Sequence, residues 1–226
     1  MYSLLEKNPD FIVIAKNPGA SFHREEDTPG LFETLREAES PEGLYPVHRL
    51  DKVTSGLLVM ARTEAANHAL CEQFAARQTE KYYLAISDRK PSKKQGMIRG
   101  DMEKSRRGSW RLCNTTRNPA VTRFFSYGMG EGLRLFVLRP LTGKTHQLRV
   151  AMKSLGAPIL GDSLYGDAGR AATADRCYLH AWQLGFHFAG RQWHFVSPPT
   201  IGSCFNVPAC QQILQQVAEP HRLPWP

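Results

Sequence analysis

Residues 48–60 read His48-Arg49-Leu50-Asp51-Lys52-Val53-Thr54-Ser55-Gly56-Leu57-Leu58-Val59-Met60. The uncharged apolar run at the end of this stretch predicts a buried strand. Thr54, Ser55 and Gly56 precede that run and are typical of a tight turn. Asp51 is then a carboxylate among basic neighbours, on a turn next to a rigid strand. Such a carboxylate is either a catalytic group on a firm support or an ordinary structural aspartate of a turn.

The composition is that of a globular protein with a positive charge. The chain has 226 residues, of which 42% are apolar, and this is enough for a sizeable core. The formal net charge is +8 and the isoelectric point is about 9.4, in the range of nucleic-acid-binding proteins. Plain solubility is the other explanation of the charge.

Cysteine usage and hydropathy indicate a cellular compartment. The five cysteines are scattered, without the spacing of a zinc site or of a disulfide framework, so we expect free thiols and no metal. We find no signal-peptide pattern, and no apolar run approaches the ~20 residues that span a bilayer. We therefore expect a cytoplasmic protein with no membrane partner.

Sequence patterns predict more strands than helices, and the strands come in hairpins. The predicted strands are Phe11–Ala15, Leu57–Met60, Glu80–Ile86, Ala120–Tyr127, Leu133–Leu138, Leu179–Phe188 and Gln192–Val196. The loops between them include a hairpin loop over Gly128–Gly132, a fixed loop over Gly156–Asp167 and a turn at Gly190.

Four helices are predicted from caps and helical spacing. They begin at Thr28-Pro29 with Leu31, Leu35 and Ala38 buried, at Thr63 running to about Gln78, at Thr145, and at Pro208 running to Ala218. Because βαβ alternation is absent, we expect an α+β fold with helices flanking a mixed, mostly antiparallel sheet. No convincing linker divides the chain, so residues 1–226 should form a single domain.

Basic residues outnumber acidic ones between Arg89 and Arg117. Glycines interrupt this segment and Trp110 lies near its centre, so we expect a flexible loop with hairpins. The segment is either a solvated excursion or a surface that contacts the phosphates of RNA or DNA. Arg106, Arg107 and Arg111 are its candidate contacts.

Three polar groups are candidates for chemistry. They are Arg49 with Asp51 on the turn, Lys81 with Tyr83 on one face of a strand, and Lys144, His146 and Arg149 at the start of a helix. The segment Thr142–Thr145 resembles part of a phosphate-binding loop, but Leu138 occupies the position of its first glycine, so we exclude a nucleotide triphosphatase. No metalloprotease or serine-hydrolase motif occurs. The best remaining candidate for a catalytic group is a carboxylate. Basic neighbours keep it ionised, so it can attack as a nucleophile or accept a proton.

Four motifs in order resemble those of the RluA family of RNA pseudouridine synthases. They are His48-Arg49-Leu50-Asp51-x-x-Thr54-Ser55-Gly56-Leu57-Leu58, Lys81-x-Tyr83-x-Ala85, Leu141-Thr142-Gly143-Lys144-Thr145-His146-Gln147-Leu148-Arg149, and Pro158-Ile159-x-Gly161-Asp162-x-x-Tyr165-Gly166. The opening from Asp10 to Gly19 is similar to the family's first strand and turn. The resemblance covers residues 10 to about 195.

The resemblance implies a pseudouridine synthase fold with a central catalytic cleft and an enzyme that isomerises uridine in ribosomal or transfer RNA. It implies that Asp51 is the catalytic acid, that Arg149 pairs with it, and that Tyr83 lies against the uracil. It implies that Arg49 fills the gap left by the flipped base. His48, Lys81, Lys144 and His146 are expected among the RNA-binding residues.

The resemblance also implies a reaction without cofactor. We expect a monomer that consists of the catalytic domain alone, without a separate N-terminal RNA-binding domain. Two alternatives stay open. One is an inactive RNA-binding module with the same fold, and the other is an unrelated hydrolase built on Asp51, which would require a second acid.

Overall fold

The structure is a computed structural model that describes residues 1–226. The chain forms two compact units. Unit 1 contains residues 1–81 and 181–198, and unit 2 contains residues 82–180 and 199–226. The prediction of a single domain stays a prediction.

Unit 1 is a sheet with two helices. Its elements are β1 (Tyr2–Lys7), β2 (Phe11–Lys16), α1 (Leu31–Glu39), β3 (Tyr45–Pro46), β4 (Ser55–Ala61), α2 (Glu64–Ala75), most of β11 (Leu179–Phe188) and β12 (Arg191–Val196). The strand order is β1-β2-β4-β11, with β12 paired to β11 and β3 to β4. The β1–β2, β2–β4 and β11–β12 pairs are antiparallel. All of β4 is buried, as its apolar run predicts.

Unit 2 is built on an antiparallel sheet with an added hairpin. Its elements are most of β5 (Glu80–Ser87), then β6 (Gln95–Gly100), β7 (Met102–Lys104), β8 (Trp110–Leu112), β9 (Ala120–Gly130), β10 (Leu133–Pro140), α3 (Gln147–Ser154), α4 (Ala168–Thr173) and α5 (Pro208–Gln216). The sheet order is β5-β10-β9-β6, and every neighbouring pair is antiparallel. The predicted α+β class with a mostly antiparallel sheet is confirmed. No helix is both long and apolar enough to cross a bilayer.

Two predicted helix starts are wrong, because backbone contacts replace side-chain caps. Helix α1 begins at Leu31 with Gly30 as its N-cap, while Thr28 is held in a turn by two backbone hydrogen bonds to Glu25. Helix α3 begins at Gln147, and its N-cap is not Thr145 but His146, at φ +57°. By contrast, Thr63 caps α2 as predicted, since its hydroxyl accepts the Ala66 N–H at 3.2 Å.

Other differences concern boundaries and short elements. The turn after Asp51 closes at Thr54, whose N–H donates to the Asp51 carbonyl at 3.0 Å, so Ser55 and Gly56 belong to β4 rather than to the turn. Strand β9 continues to Gly130, which shortens the predicted loop. Ala38 is exposed on α1 instead of buried. Strand β1 and the short helix α4 were not predicted, because neither has an apolar periodicity.

The segment from Arg89 to Arg117 is more ordered than a flexible loop. Its first half contributes β6 to the sheet of unit 2, paired with β9. Its second half is a hairpin of β7 and β8, joined by a 3₁₀ turn over Arg106–Gly108. We call Met102–Leu112 the basic hairpin. The predicted hairpin is therefore present, but the preceding stretch is an edge strand.

We expect Gly56→Ala to destabilise the protein far more than Gly19→Ala. Both glycines have positive φ, +103° and +82°, so alanine at either position brings a backbone strain of roughly 1–2 kcal/mol. A Cβ at Gly56 would also lie 2.2 Å from the Ala181 carbonyl oxygen, whereas nothing lies within 4 Å of a Cβ at Gly19. Denaturant unfolding of the two variants measures the difference. Equal losses in the free energy of unfolding for the two variants would contradict the close approach of β4 and β11.

Candidate active site

The backbone directly after Asp51 is fixed by a buried lysine. The Lys16 side chain is 2% exposed, and its Nζ donates to the carbonyl oxygens of Asn17, Ala20 and Lys52 at 3.0, 2.9 and 2.9 Å. The Gly19 N–H donates to the same Lys52 carbonyl at 2.9 Å. Because a buried ammonium requires such partners, these bonds lock the turn after β2 to the segment that carries the half-buried Asp51.

His48 and Lys81 contact the same aromatic ring in unit 1. The imidazole of His48 stacks on Phe74 with ring centroids 4.5 Å apart, and Lys81 Nζ lies 5.0 Å from the Phe74 centroid. The Val59 N–H donates to His48 Nε2 at 3.2 Å. Burial and the nearby Lys81 charge lower the pKa of His48 to about 3, and burial also lowers the pKa of Lys81. The neutral His48 therefore fastens the segment before Asp51 to β4.

Arg49 is the remaining predicted contact of unit 1, and it is exposed two residues before Asp51. Lys52 forms an ion pair with Glu25, and this pair lowers the pKa of the Glu25 carboxyl. Lys52 is thus partly neutralised, whereas Arg49 is displayed to solvent.

Arg149 is the central charged group of unit 2. It lies on α3 and is 5% exposed. Its Nε and Nη2 each donate to a carboxylate oxygen of Asp162 at 2.8 Å, which gives a bidentate pair. Asp162 also accepts the N–H groups of Leu164 and Tyr165 at 3.0 and 3.2 Å. The pair thereby fixes α3 to the loop that the fourth motif predicts.

Asp162, which holds Arg149 in place, is not identified by the sequence alone. It lies within the fourth motif, which predicts no role for it. Its neighbour Gly161 has φ +78°, and a Cβ there would lie 1.9 Å from the Arg176 carbonyl oxygen. The signal in the sequence was the pair of Gly161 and Asp162. A glycine allows the backbone to pack closely, and the acid that follows it can then lie in the interior.

The turn that precedes α3 is tied to β9 by a glutamine. Gln147 is buried, and its Oε1 accepts the Thr142 hydroxyl at 2.6 Å and the Lys144 N–H at 3.0 Å. Its Nε2 donates to the Val121 carbonyl and to Thr122 Oγ1, both at 3.0 Å. The Thr142–Thr145 turn therefore serves to orient α3, with the half-buried Lys144 at its rim.

Tyr83 and His146 complete the predicted groups of unit 2. Tyr83 is half-buried on β5, opposite Leu138 of β10, between the buried Tyr82 and Leu84. The Nδ1 atom of His146 lies 2.8 Å from the Tyr165 hydroxyl. The backbone of Tyr83 is thus fixed by the pairing of β5 with β10.

The three predicted arginines of the basic hairpin are all exposed. Arg106 and Arg107 occupy its turn, where Arg107 has φ +54°. Arg111 pairs with Glu103 at 3.0 Å, and this contact lowers the pKa of the Glu103 carboxyl. The turn of the hairpin therefore presents positive charge to solvent.

Comparisons with known proteins agree with this arrangement. Residues 10–154 match the family model described as RNA pseudouridylate synthase. The chain is 46% identical over 209 residues to an uncharacterized RNA pseudouridine synthase of Haemophilus influenzae, a match that covers 92% of each chain. It is 40% identical over 142 residues to the dual-specificity RNA pseudouridine synthase RluA of Escherichia coli, covering 61% of this chain and 64% of that one.

Solved structures show the same fold. Human RNA pseudouridylate synthase domain containing 1 superposes with a TM-score of 0.76 at 25% identity, covering 97% of this chain and 95% of that one. Human RNA pseudouridylate synthase domain containing 4 gives a TM-score of 0.70 at 25% identity, with coverage of 95% and 92%. The chain therefore belongs to the RluA family of RNA pseudouridine synthases, isomerases that convert uridine in RNA to pseudouridine.

Proposed function

We propose that this protein isomerises specific uridines of ribosomal or transfer RNA and that Asp51 is its nucleophile. The observation that carries the proposal is the clamp on the Asp51 segment. A buried lysine and the Gly19 N–H both bind the carbonyl of the next residue. A carboxylate on a backbone so restrained loses little entropy in the transition state, as a preorganised catalytic group requires.

The proposed reaction begins with a uridine flipped out of its RNA stack. Flipping is least costly for an unpaired base, so a loop uridine is the expected substrate. Asp51 attacks the uridine or takes a proton from its ribose, and the bond from the ribose to N1 breaks. The uracil turns and carbon 5 bonds to the ribose, and Asp51 is either released from its covalent bond or returns the ribose proton that it took. The proton on carbon 5 then leaves, and N1 takes up a proton. The isomerisation neither adds nor removes atoms overall, so it needs no cofactor and no energy source.

Two side chains of unit 2 are proposed to act with Asp51. Arg149 pairs with Asp51 and keeps it ionised. This role is supported by the Arg149 side chain itself: a guanidinium has five donors, and the pair with Asp162 orients them. Tyr83 lies against the uracil and takes part in removing the proton from carbon 5.

RNA binding is proposed to involve both units. Exposed Arg49 fills the space that the flipped base leaves. The basic hairpin contacts phosphates, and His48, Lys81, Lys144 and His146 line the approach or support it. We propose a single catalytic domain that works as a monomer in the cytoplasm, because one chain supplies every group that the reaction uses.

Asp51→Asn should abolish pseudouridine formation while RNA affinity stays nearly unchanged, because the amide keeps the shape of the side chain but cannot act as a nucleophile. The assay is tritium release from RNA labelled at carbon 5 of uridine, with RNA binding measured in parallel. Asp10→Asn, a half-buried aspartate of the same unit, is the matched control and should retain activity. An Asp51→Asn protein that still isomerises uridine would show that the nucleophile is another group. An inactive RNA-binding module would instead show no release with the unaltered protein.

Neutralising the basic hairpin should weaken RNA binding and flatten its salt dependence. The variant carries Arg106→Gln, Arg107→Gln and Arg111→Gln. Each lost contact to single-stranded RNA lowers the slope of log K against log salt by roughly 0.7, so three contacts lower it by about 2.

The control for this variant removes the same charge elsewhere. It carries Arg24→Gln, Arg36→Gln and Arg222→Gln, all exposed residues. Binding titrations of both variants at several salt concentrations make the comparison. Equal slopes for the two triple variants would mean that the hairpin is only a solvated excursion.

A further inference from the structure

One buried hydroxyl joins the basic hairpin to the helix that carries Arg149. Tyr165 is 3% exposed. Its hydroxyl oxygen accepts the backbone N–H of Trp110 at 2.9 Å and lies 2.8 Å from His146 Nδ1. The hydroxyl can donate to Nδ1 or accept a hydrogen from it, according to the His146 tautomer, and in either case it joins the two segments.

The two partners of this hydroxyl belong to different functional parts of unit 2. Trp110 is the first residue of β8 in the basic hairpin, where Lys104 Nζ lies 5.9 Å from its ring centroid. His146 is the N-cap of α3, at φ +57°. It lies three residues before Arg149, so the two side chains project from neighbouring turns of one helix.

The ring of Tyr165 also contacts Arg149 directly. The guanidinium carbon of Arg149 lies 4.9 Å from the ring centroid, a cation–π distance. The Tyr165 N–H donates to Asp162, the bidentate partner of Arg149. A shift of Tyr165 therefore cannot occur without a change in the surroundings of the Arg149 guanidinium.

We propose that Tyr165 is a positioning residue that couples RNA contact at the basic hairpin to the orientation of Arg149. RNA phosphates on Arg106, Arg107 and Arg111 hold the hairpin in place. The Trp110–Tyr165–His146 hydrogen bonds pass this restraint to the start of α3. This inference rests on the proposed function, because it assigns the hairpin to RNA and Arg149 to the reaction.

A double-mutant cycle tests the coupling. The proteins are the unaltered chain, Tyr165→Phe, the triple hairpin variant R106Q/R107Q/R111Q, and the combination of the two. Phenylalanine keeps the buried ring and its contact with Arg149 but removes both hydroxyl hydrogen bonds. The probe is total RNA from cells that lack this protein, labelled with tritium at carbon 5 of uridine. Single-turnover release gives a maximal rate and the enzyme concentration at half-maximal rate.

We expect Tyr165→Phe to lower the maximal rate by roughly tenfold, since small misplacements of catalytic groups have effects of at least this size. The triple variant should lower the maximal rate and also raise the half-saturating concentration. In the Tyr165→Phe background, the triple change should still raise that concentration but lower the maximal rate no further. Such non-additivity is the mark of groups that act through one another.

Tyr178→Phe is the matched structural control. Tyr178 is 1% exposed, and its hydroxyl also accepts a backbone N–H, that of Cys204 at 3.0 Å, while it donates to Asp175. It should lose stability in thermal unfolding but keep the maximal rate. An equal rate loss in Tyr178→Phe would mean that Tyr165 contributes only general rigidity.

A second variant covers the case in which Tyr165→Phe does not fold. His146→Asn keeps a residue that tolerates positive φ and shortens the side chain that reaches Tyr165, and it should show the same non-additive rate. Rate losses that multiply in the combined variants would overturn the coupling while leaving the proposed function intact. No tritium release from the unaltered protein would overturn the proposed function and, with it, this inference.

Discussion

The buried pair of Arg149 and Asp162 is the constraint on which the rest of unit 2 depends. Their side chains are 6% and 0% exposed, so neither charge is stable without the other. Removing one partner of such a pair typically costs about 3–5 kcal/mol, because an uncompensated charge remains inside. The pair therefore does not primarily add stability. It forces α3, the loop around Asp162 and the ring of Tyr165 into one arrangement, which is the arrangement that aims the Arg149 guanidinium.

Unit 1 uses a related solution with a different acceptor. Lys16 is as deeply buried as Arg149, but its ammonium is satisfied by three backbone carbonyls instead of a carboxylate. An ammonium is compact and can reach three separate carbonyls, whereas a planar guanidinium matches a carboxylate. In each unit, one buried cation thus fixes an irregular segment: the segment after Asp51 in unit 1, and in unit 2 the loop that carries Asp162, the partner of Arg149. Loops gain the precision of regular elements in this way, since their own backbone provides no repeating hydrogen bonds.

The sequence predicted those elements whose cause is local. The apolar runs of β2 and β4 appear as buried strands, and the cap of α2 at Thr63 was predicted because the cap bonds lie within four residues. Helices α1 and α3 do not begin at the predicted residues, because no adjacent side chain caps their first N–H groups. In α1, the carbonyls of Ser21 and Phe22 accept the N–H groups of Leu31 and Phe32. Helix α3 begins after the left-handed backbone of His146.

In the candidate site, too, local features were predictable from the sequence and long-range contacts were not. Resemblance to a family pointed to Asp51, Tyr83 and Arg149, but the partners that hold them depend on long-range packing. No spacing rule places Asp162 against Arg149 across an irregular loop. Nothing in the composition around Lys16 distinguishes a buried lysine from the exposed ones. Tyr165 was visible only as part of a motif, and its proposed role follows from contacts with β8 and with the start of α3, two segments that are far apart in sequence.

The proposed function rests on uridine isomerisation in cellular RNA, and mapping pseudouridines in total RNA from cells with and without this protein tests it most directly. We expect one or a few uridines of ribosomal or transfer RNA, in loops, to lose the modification when the protein is absent and to regain it when the unaltered chain is restored. An identical pseudouridine map in the two cell populations would contradict the proposed function.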